Sequence, residues 1–151
     1  MEEKKMEEFV IDVMTIYKDA VGYRVAYNYD IIYEDGTNRG KQRRTTRYIV
    51  KKGDKQALNG VLNFLNKQLE KETHDESMAY MDVIDKISIY HKTRGYIMAY
   101  RFSTLYEDGR CEEDKLRTSP YVISEEDINA VEGIKAFVIR YIEAEHGKIE
   151  E

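Results

Sequence analysis

One cysteine, one proline and no tryptophan occur in 151 residues, and each scarcity closes a class of explanation. The lone Cys111 can form no intrachain disulfide and cannot supply the paired thiolates of a zinc framework, which agrees with a reducing compartment. With Pro120 as the only proline and no low-complexity tract, the chain lacks the signature of a long disordered region. No apolar run approaches the ~20 residues of a membrane-spanning helix. The opening MEEKKMEEF is charged where a secretory signal needs an apolar stretch. The expectation is a cytoplasmic chain without membrane contact.

Sites of chemistry are equally sparse. There is no HExxH motif and no glycine-rich phosphate loop. The three histidines, His74, His91 and His146, fall in a connector, at a strand end and at a helix end, none of them spaced for a metal or a catalytic pair. The expectation is therefore a protein that is not an enzyme and that needs neither cofactor nor metal.

What the sequence does contain, it contains twice. The stretch YEDG stands at 33–36 and again at 106–109, an offset of 73 residues. The same offset superimposes VID (10–12) on VID (83–85), IY (16–17) on IY (89–90), GY (22–23) on GY (95–96) and AY (26–27) on AY (99–100). Between residues 10 and 72, 22 of 63 positions match their counterparts without a gap, which establishes an internal duplication. Residues 1–72 form the first repeat with an N-terminal lead, 73–82 (THDESMAYMD) a linker, and 83–151 the second repeat with a tail.

Each repeat reads as strand, strand, strand, helix. YRVAYNYDIIY places Tyr23, Val25, Tyr27, Tyr29, Ile31 and Tyr33 on one face, the period of a half-buried strand, and residues 96–106 repeat it. Shorter β-branched runs precede them, VMTIY and KISIY, ended by Gly22 and Gly95. Asp-Gly within YEDG suits a two-residue type I′ hairpin turn, which outweighs a carboxylate site at Glu34, Asp35, Glu107 and Asp108. Ser124 opens the second helix as N-cap with Asp127 three residues on, and Asp54 is the expected cap of the first. Leu58, Val61, Leu62, Leu65 and Leu69, and Val131, Ile134, Val138 and Ile142, form the apolar stripes. Gly60 and Gly133, with Ala57 and Ala130, predict an unusually close approach of the helices to each other or to the sheet.

The fold class is thus α+β: two tandem β-β-β-α repeats forming a pseudo-two-fold pseudo-dimer, with antiparallel sheets and helices packed on the aromatic faces. Whether the repeats share one sheet stays open. A two-residue loop makes paired residue numbers sum to 71 in the first hairpin and 217 in the second. That sets Tyr23 opposite Tyr48, Tyr27 opposite Arg44, Tyr96 opposite Tyr121 and Tyr100 opposite Arg117. Arg24, Arg39, Lys41, Arg43 and Arg47 then share the outer face of the first hairpin, and Ile97, Ala99, Leu105, Leu116 and Pro120 that of the second.

Charge separates the copies. Residues 10–72 carry 12 Lys/Arg against 8 Asp/Glu, whereas 83–145 carry 9 against 12, within a net charge of −5. In element order alone, the unit resembles the small DNA-binding β-sheet modules of mobile-element integrases, and no residue role is carried over. A duplicated scaffold with divergent surfaces points to a non-enzymatic binding or inhibitor protein that docks on another macromolecule, as a phage or mobile element uses to block a host factor. Ile97, Leu105 and Leu116 are the expected contacts with a protein partner or with a second copy in a homo-oligomer. The alternative is a nucleic-acid or nucleotide binder using Arg39, Lys41, Arg43, Arg44, Arg47 and Tyr48.

Overall fold

The computed structural model describes residues 6–146. Eight elements follow in order: β1 (Met6–Lys18), β2 (Tyr23–Tyr33), β3 (Gln42–Thr45), α1 (Lys52–Leu69), β4 (Tyr80–Lys92), β5 (Gly95–Tyr106), β6 (Cys111–Thr118) and α2 (Glu125–His146). The two β-β-β-α repeats join in one six-stranded antiparallel sheet, β3-β2-β1-β4-β5-β6. No helix among the described residues is long and apolar enough to cross a membrane.

The alternation of β2 and β5 decides which face is covered. Val25, Tyr27, Tyr29 and Ile31 are buried, as are Tyr96, Met98, Tyr100 and Phe102. Their rings and branches meet Leu58, Val61, Leu65 and Leu69 of α1 and Val131, Ile134, Val138 and Ile142 of α2 in a single core. Residues that alternate with these form the other face, where no element of the described chain packs.

β1 and β4 pair around a point of symmetry. Thr15 pairs with Ser88, its own counterpart in the second repeat, and their hydroxyls meet at 3.1 Å. On either side, Val13 pairs with Tyr90 and Tyr17 with Lys86, so each half of the ladder mirrors the other. The helices obey the same pseudo-two-fold. A Cβ added to Gly60 would stand 2.6 Å from the Ala130 Cβ, and one added to Gly133 would stand 2.6 Å from the Ala57 Cβ. The close approach predicted from these residues therefore lies between the helices.

Each helix also reaches the other repeat. Arg44 of β3 donates to Glu145 of α2 at 3.1 Å, and its counterpart Arg117 of β6 donates to Glu72, just past α1, at 3.0 Å. Reciprocal contacts of this kind are those of an isologous dimer interface, here enclosed in one chain. The duplicated VID motifs gain a meaning as well. The register slips between Ile11 and Val13 and again between Ile84 and Lys86, so Asp12 and Asp85 occupy equivalent β-bulges.

Three details depart from the sequence-based expectation. The hairpin loops hold three residues rather than two, because the Tyr33 amide donates to Thr37 O and the Gly36 amide to Tyr33 O, with the same pattern at Tyr106, Arg110 and Gly109. Only the glycines take positive φ in these loops (Gly36 +84°, Gly109 +89°), so a tight turn followed by a left-handed residue replaces the type I′ pair. The ladder consequently starts with Ile32 opposite Asn38 and Leu105 opposite Cys111, and a bulge in the third strand then restores the expected sums, with Tyr27 opposite Arg44 and Tyr100 opposite Arg117. The bulge falls near Gly40 (φ +91°) in one copy and Asp114 (φ 54°) in the other.

The second departure is at the far end of the hairpins, where Ile49 N bonds Tyr23 O and Val122 N bonds Tyr96 O. Tyr48 and Tyr121 are thereby displaced from facing Tyr23 and Tyr96. The third is Asp54, which caps nothing: Lys51 is the N-cap of α1 without a side-chain bond, and buried Asp54 instead accepts from Arg140 at 2.6 Å. Ser124 does cap α2, accepting from the Asp127 amide at 3.2 Å.

The helix crossing is directly testable. Gly60→Ala should destabilise the protein by about 1–3 kcal/mol through overpacking, although alanine is intrinsically the better helix former by about 1 kcal/mol. Adding Ala130→Gly should recover most of the loss in a denaturant-unfolding double-mutant cycle. Additive effects would show that the two positions do not touch.

Candidate functional site

The uncovered sheet face keeps much of its composition between the copies and differs sharply at two positions, Asn28 against Arg101 and Arg43 against Leu116. In the second repeat it carries Ser88 and Tyr90 from β4, Ala99 and Arg101 from β5, and Leu116 and Thr118 from β6, which line an open trough of about 740 Å³. At the counterpart positions the first repeat has Thr15, Tyr17, Ala26, Asn28, Arg43 and Thr45. Leu116 is 67% exposed and Leu105 41%, while Ile97 is half-buried. The three expected contact residues lie on this face but not in one patch. Arg101 stands between Ile97 and Leu105 along β5, held by Asp85 at 2.9 Å. Lys86 at the trough's edge is exposed.

The basic hairpin is divided rather than continuous. Arg39 was expected on the outer face, but the extra loop residue reverses its direction, and its guanidinium lies 3.3 Å from His146 Nδ1 at the end of α2. Arg44 is tied to Glu145, and Lys41 forms an ion pair with the bulge residue Asp12 at 3.2 Å. Tyr48 donates to Asp19 at 2.6 Å, and its ring and that of Tyr17 flank the Arg24 guanidinium at 5.3 and 5.2 Å. Arg43 and Arg47 remain exposed, and neither side chain forms an ion pair among the described residues.

The end of α2 ties β2 and the basic hairpin together through Glu145 and His146. Burial and the nearby Glu145 push the Tyr29 phenol up to about 12. Burial also lowers His146, whose Nε2 is 2.6 Å from the Tyr29 hydroxyl. Burial alone would raise Glu145, yet the bonds from Arg44 and Tyr29 outweigh it and leave this carboxyl below its ordinary value. Arg44 is thus committed to structure.

The second repeat also holds a polar network that the sequence reading did not find. His74 Nε2 is 2.9 Å from Asp82, Thr104 donates to the same carboxylate at 2.6 Å, and Lys115 donates to Thr104 at 2.7 Å. The His74 ring stacks on Tyr80 at 4.0 Å. The first repeat has Phe9 where Asp82 stands and Ile31 where Thr104 stands, Ile31 in the apolar core and Phe9 packed against it. A His-Asp-Thr-Lys sequence of contacts has the parts of a nucleophile relay. Its geometry opposes that use: Thr104 is 0% exposed and the His74 side chain 3%, so no substrate reaches the hydroxyl.

What the network does is fasten the connector. Arg110 donates to Asp75 at 2.9 Å, and the Asp75 amide donates to the Tyr106 hydroxyl at 3.2 Å, adding a second attachment beside His74. The signal in the sequence was the replacement of core-face apolar residues by polar ones at aligned positions. Elsewhere, Cys111 is exposed at the start of β6. No group of three or more His, Cys, Asp or Glu among the described residues could hold a metal.

Thr104→Val should lower stability by about 1–3 kcal/mol in denaturant unfolding, because Asp82 and Lys115 each lose a partner in a largely buried site. An unchanged midpoint would mean that water substitutes for the hydroxyl. Asp75 gives a pH test. Bonds from Ser77 and Arg110 lower its carboxyl from 3.8 to about 2, so its contribution to stability is complete above the ordinary value and disappears as pH falls toward the lowered one. Replacing Arg110 by Met should move the Asp75 carboxyl titration, followed by NMR, toward the ordinary value.

No family model matches the chain, and neither a curated protein nor a solved structure matches it, so its surfaces must be interpreted from their own geometry.

Proposed function

We propose that this is a non-enzymatic docking protein that engages another protein through the uncovered sheet face of its second repeat. The observation that carries this reading is the trough itself: a sheet face with no layer over it, on which Leu116, Leu105, Met81 and Tyr90 are exposed beside the charges of Arg101 and Lys86. Exposed apolar side chains interspersed with charge are the makings of a partner-binding surface. Leu116 and Met81 stand where the first repeat has Arg43 and Glu8, whereas Tyr90 and Leu105 correspond to Tyr17 and Ile32, so the second copy extends an apolar character that the scaffold carries in part.

Docking by the face is favoured over docking by an edge. The outer strands are β3, of 4 residues, and β6, which is charged along CEEDKLRT and bulged at Asp114. Short, charged and bulged edges resist pairing with another strand. A protein held on the face would have its own surface occluded, which is how a small blocking protein of a phage or mobile element would act. The nucleic-acid reading keeps fewer residues: of its six, Arg39, Lys41, Arg44 and Tyr48 already have partners within the chain.

The test pairs two measurements. Affinity purification from the native source should retain a partner with the wild type at raised salt and lose it with Leu116→Asp and Leu105→Asp. Fluorescence anisotropy with single- and double-stranded oligonucleotides should show only weak binding at physiological salt. Salt-sensitive oligonucleotide binding abolished by Arg43→Glu and Arg47→Glu, together with no effect of the Leu116 change, would replace this reading by the nucleic-acid one.

A further inference from the structure

A second concavity lies on the helix side, remote from the uncovered sheet face, between the β3–α1 connection and the last turns of α2. Its volume is about 280 Å³, just below the ~300–1,000 Å³ of ordinary ligand pockets, so an occupant must be small. Tyr48, Val50, Phe137, Tyr141 and Ala144 supply apolar walls. Phe137 and Tyr141 meet edge to face with centroids 5.2 Å apart, and the Tyr48 hydroxyl is fixed by Asp19 at 2.6 Å, so three of the walls are positioned by contacts already made.

The polar part is an anchored cation. Arg140 donates through one terminal nitrogen to both oxygens of Asp54 at 2.6 Å, and the Asp54 side chain is only 8% exposed. The same guanidinium lies 5.6 Å from the Phe137 ring centroid. Its Nε and other terminal nitrogen take no partner among the described residues, and the side chain is 51% exposed. A guanidinium pinned at one terminal nitrogen by a buried carboxylate keeps its Nε–H and its other terminal amino group in a fixed plane, each able to donate a charge-assisted bond to a second carboxylate. Lys51 adds a further positive charge at the rim, leaving the polar groups of the pocket with a surplus of one cation over the single anion Asp54.

The duplication supplies a built-in control, because the corresponding place in the other repeat lacks these features. Tyr141 corresponds to Gln68, Arg140 to Lys67, Ala144 to Lys71 and Lys51 to Ser124. In that copy Asp127 is held by the Ser124 hydroxyl at 2.6 Å, and Lys71 reaches Gln68 at 3.5 Å. Three changes along one helix therefore converge on one place: an aromatic wall added, a flexible ammonium replaced by a planar fork, and a long side chain cut back to a methyl. Core packing does not require this, since Ala144 and Arg140 are both exposed.

We infer that this pocket binds a small apolar carboxylate, the acid on an unpartnered N–H donor of Arg140 and the hydrocarbon against Phe137, Tyr141 and Val50. Tyr141 assists, since its oxygen accepts from the Arg47 amide at 3.3 Å and its own hydrogen is left to donate. A free branched-chain acid and the C-terminal residue of a peptide present the same chemistry.

NMR titration of the whole chain with 4-methylpentanoate, N-acetyl-leucine and N-acetyl-leucinamide tests the assignment. The acids should shift the Phe137 and Tyr141 ring resonances saturably, with Kd on the order of 1 mM for ligands of this size. The amide should bind at least about tenfold more weakly, as expected when a charge-assisted pair is lost. Binding of both acids points to a free small molecule, and binding of N-acetyl-leucine alone points to a chain terminus. Arg140→Lys should weaken the acids about tenfold, and Ala144→Lys, which copies the other repeat at an exposed position, should abolish binding with an unchanged thermal midpoint. Absence of a saturable shift, equal binding of acid and amide, or full binding by the folded Ala144→Lys variant would overturn the assignment. None of these outcomes depends on the sheet-face reading.

Discussion

The antiparallel pairing of β1 with β4 is the constraint from which the architecture follows. Because Thr15 meets its own counterpart Ser88, each strand and helix of one repeat has its image across that point. The pairing fixes the two hairpins on opposite sides of one sheet and obliges both helices to share the same face. Their antiparallel crossing then demands small residues where they touch, which is why glycine is retained inside both helices at a cost of about 1 kcal/mol each in propensity. The alanines three residues earlier complete the fit, each lying against the other helix's glycine.

Symmetry of the scaffold frees the surfaces to differ. Three places show it. The sheet face exchanges Arg43 for Leu116, the core of the second repeat exchanges Phe9 and Ile31 for Asp82 and Thr104, and the end of α2 exchanges Lys71 for Ala144. None of these exchanges disturbs the strand pairing or the helix crossing. The polar exchange in the core is tolerated because each new group has a partner, from Lys115 through Thr104 and Asp82 to His74. The connector that leads into the second repeat is thereby fastened to it.

The duplication made the fold legible, since two noisy patterns of alternation reinforce one another when superimposed. Tyr27 opposite Arg44 and Tyr100 opposite Arg117 were reached from the sequence by a loop length one residue too short, and a bulge one strand later restored the count. Arg39 lies between those two irregularities and so was placed on the wrong face. Asp54 read as a cap because cap residues and buried ion-pair acids are the same amino acids, and only the position of Arg140, 86 residues away, distinguishes them. The polar network and the α2 pocket were legible only as mismatches between the copies. Identities reveal the scaffold, and it is the differences that mark what each copy does.

The crossing of the helices bears on how the chain is made. Glu72, at the end of the first repeat, receives its partner Arg117 only 45 residues later, and Arg44 waits for Glu145 over 101 residues. Contacts of such long sequence separation are closed late in folding because the loop entropy must be overcome first. During synthesis the first repeat emerges with Ala57 and Gly60 of α1 lacking the α2 surface on which they pack. Completion of the second repeat supplies that surface and, with it, the Glu145 partner of Arg44.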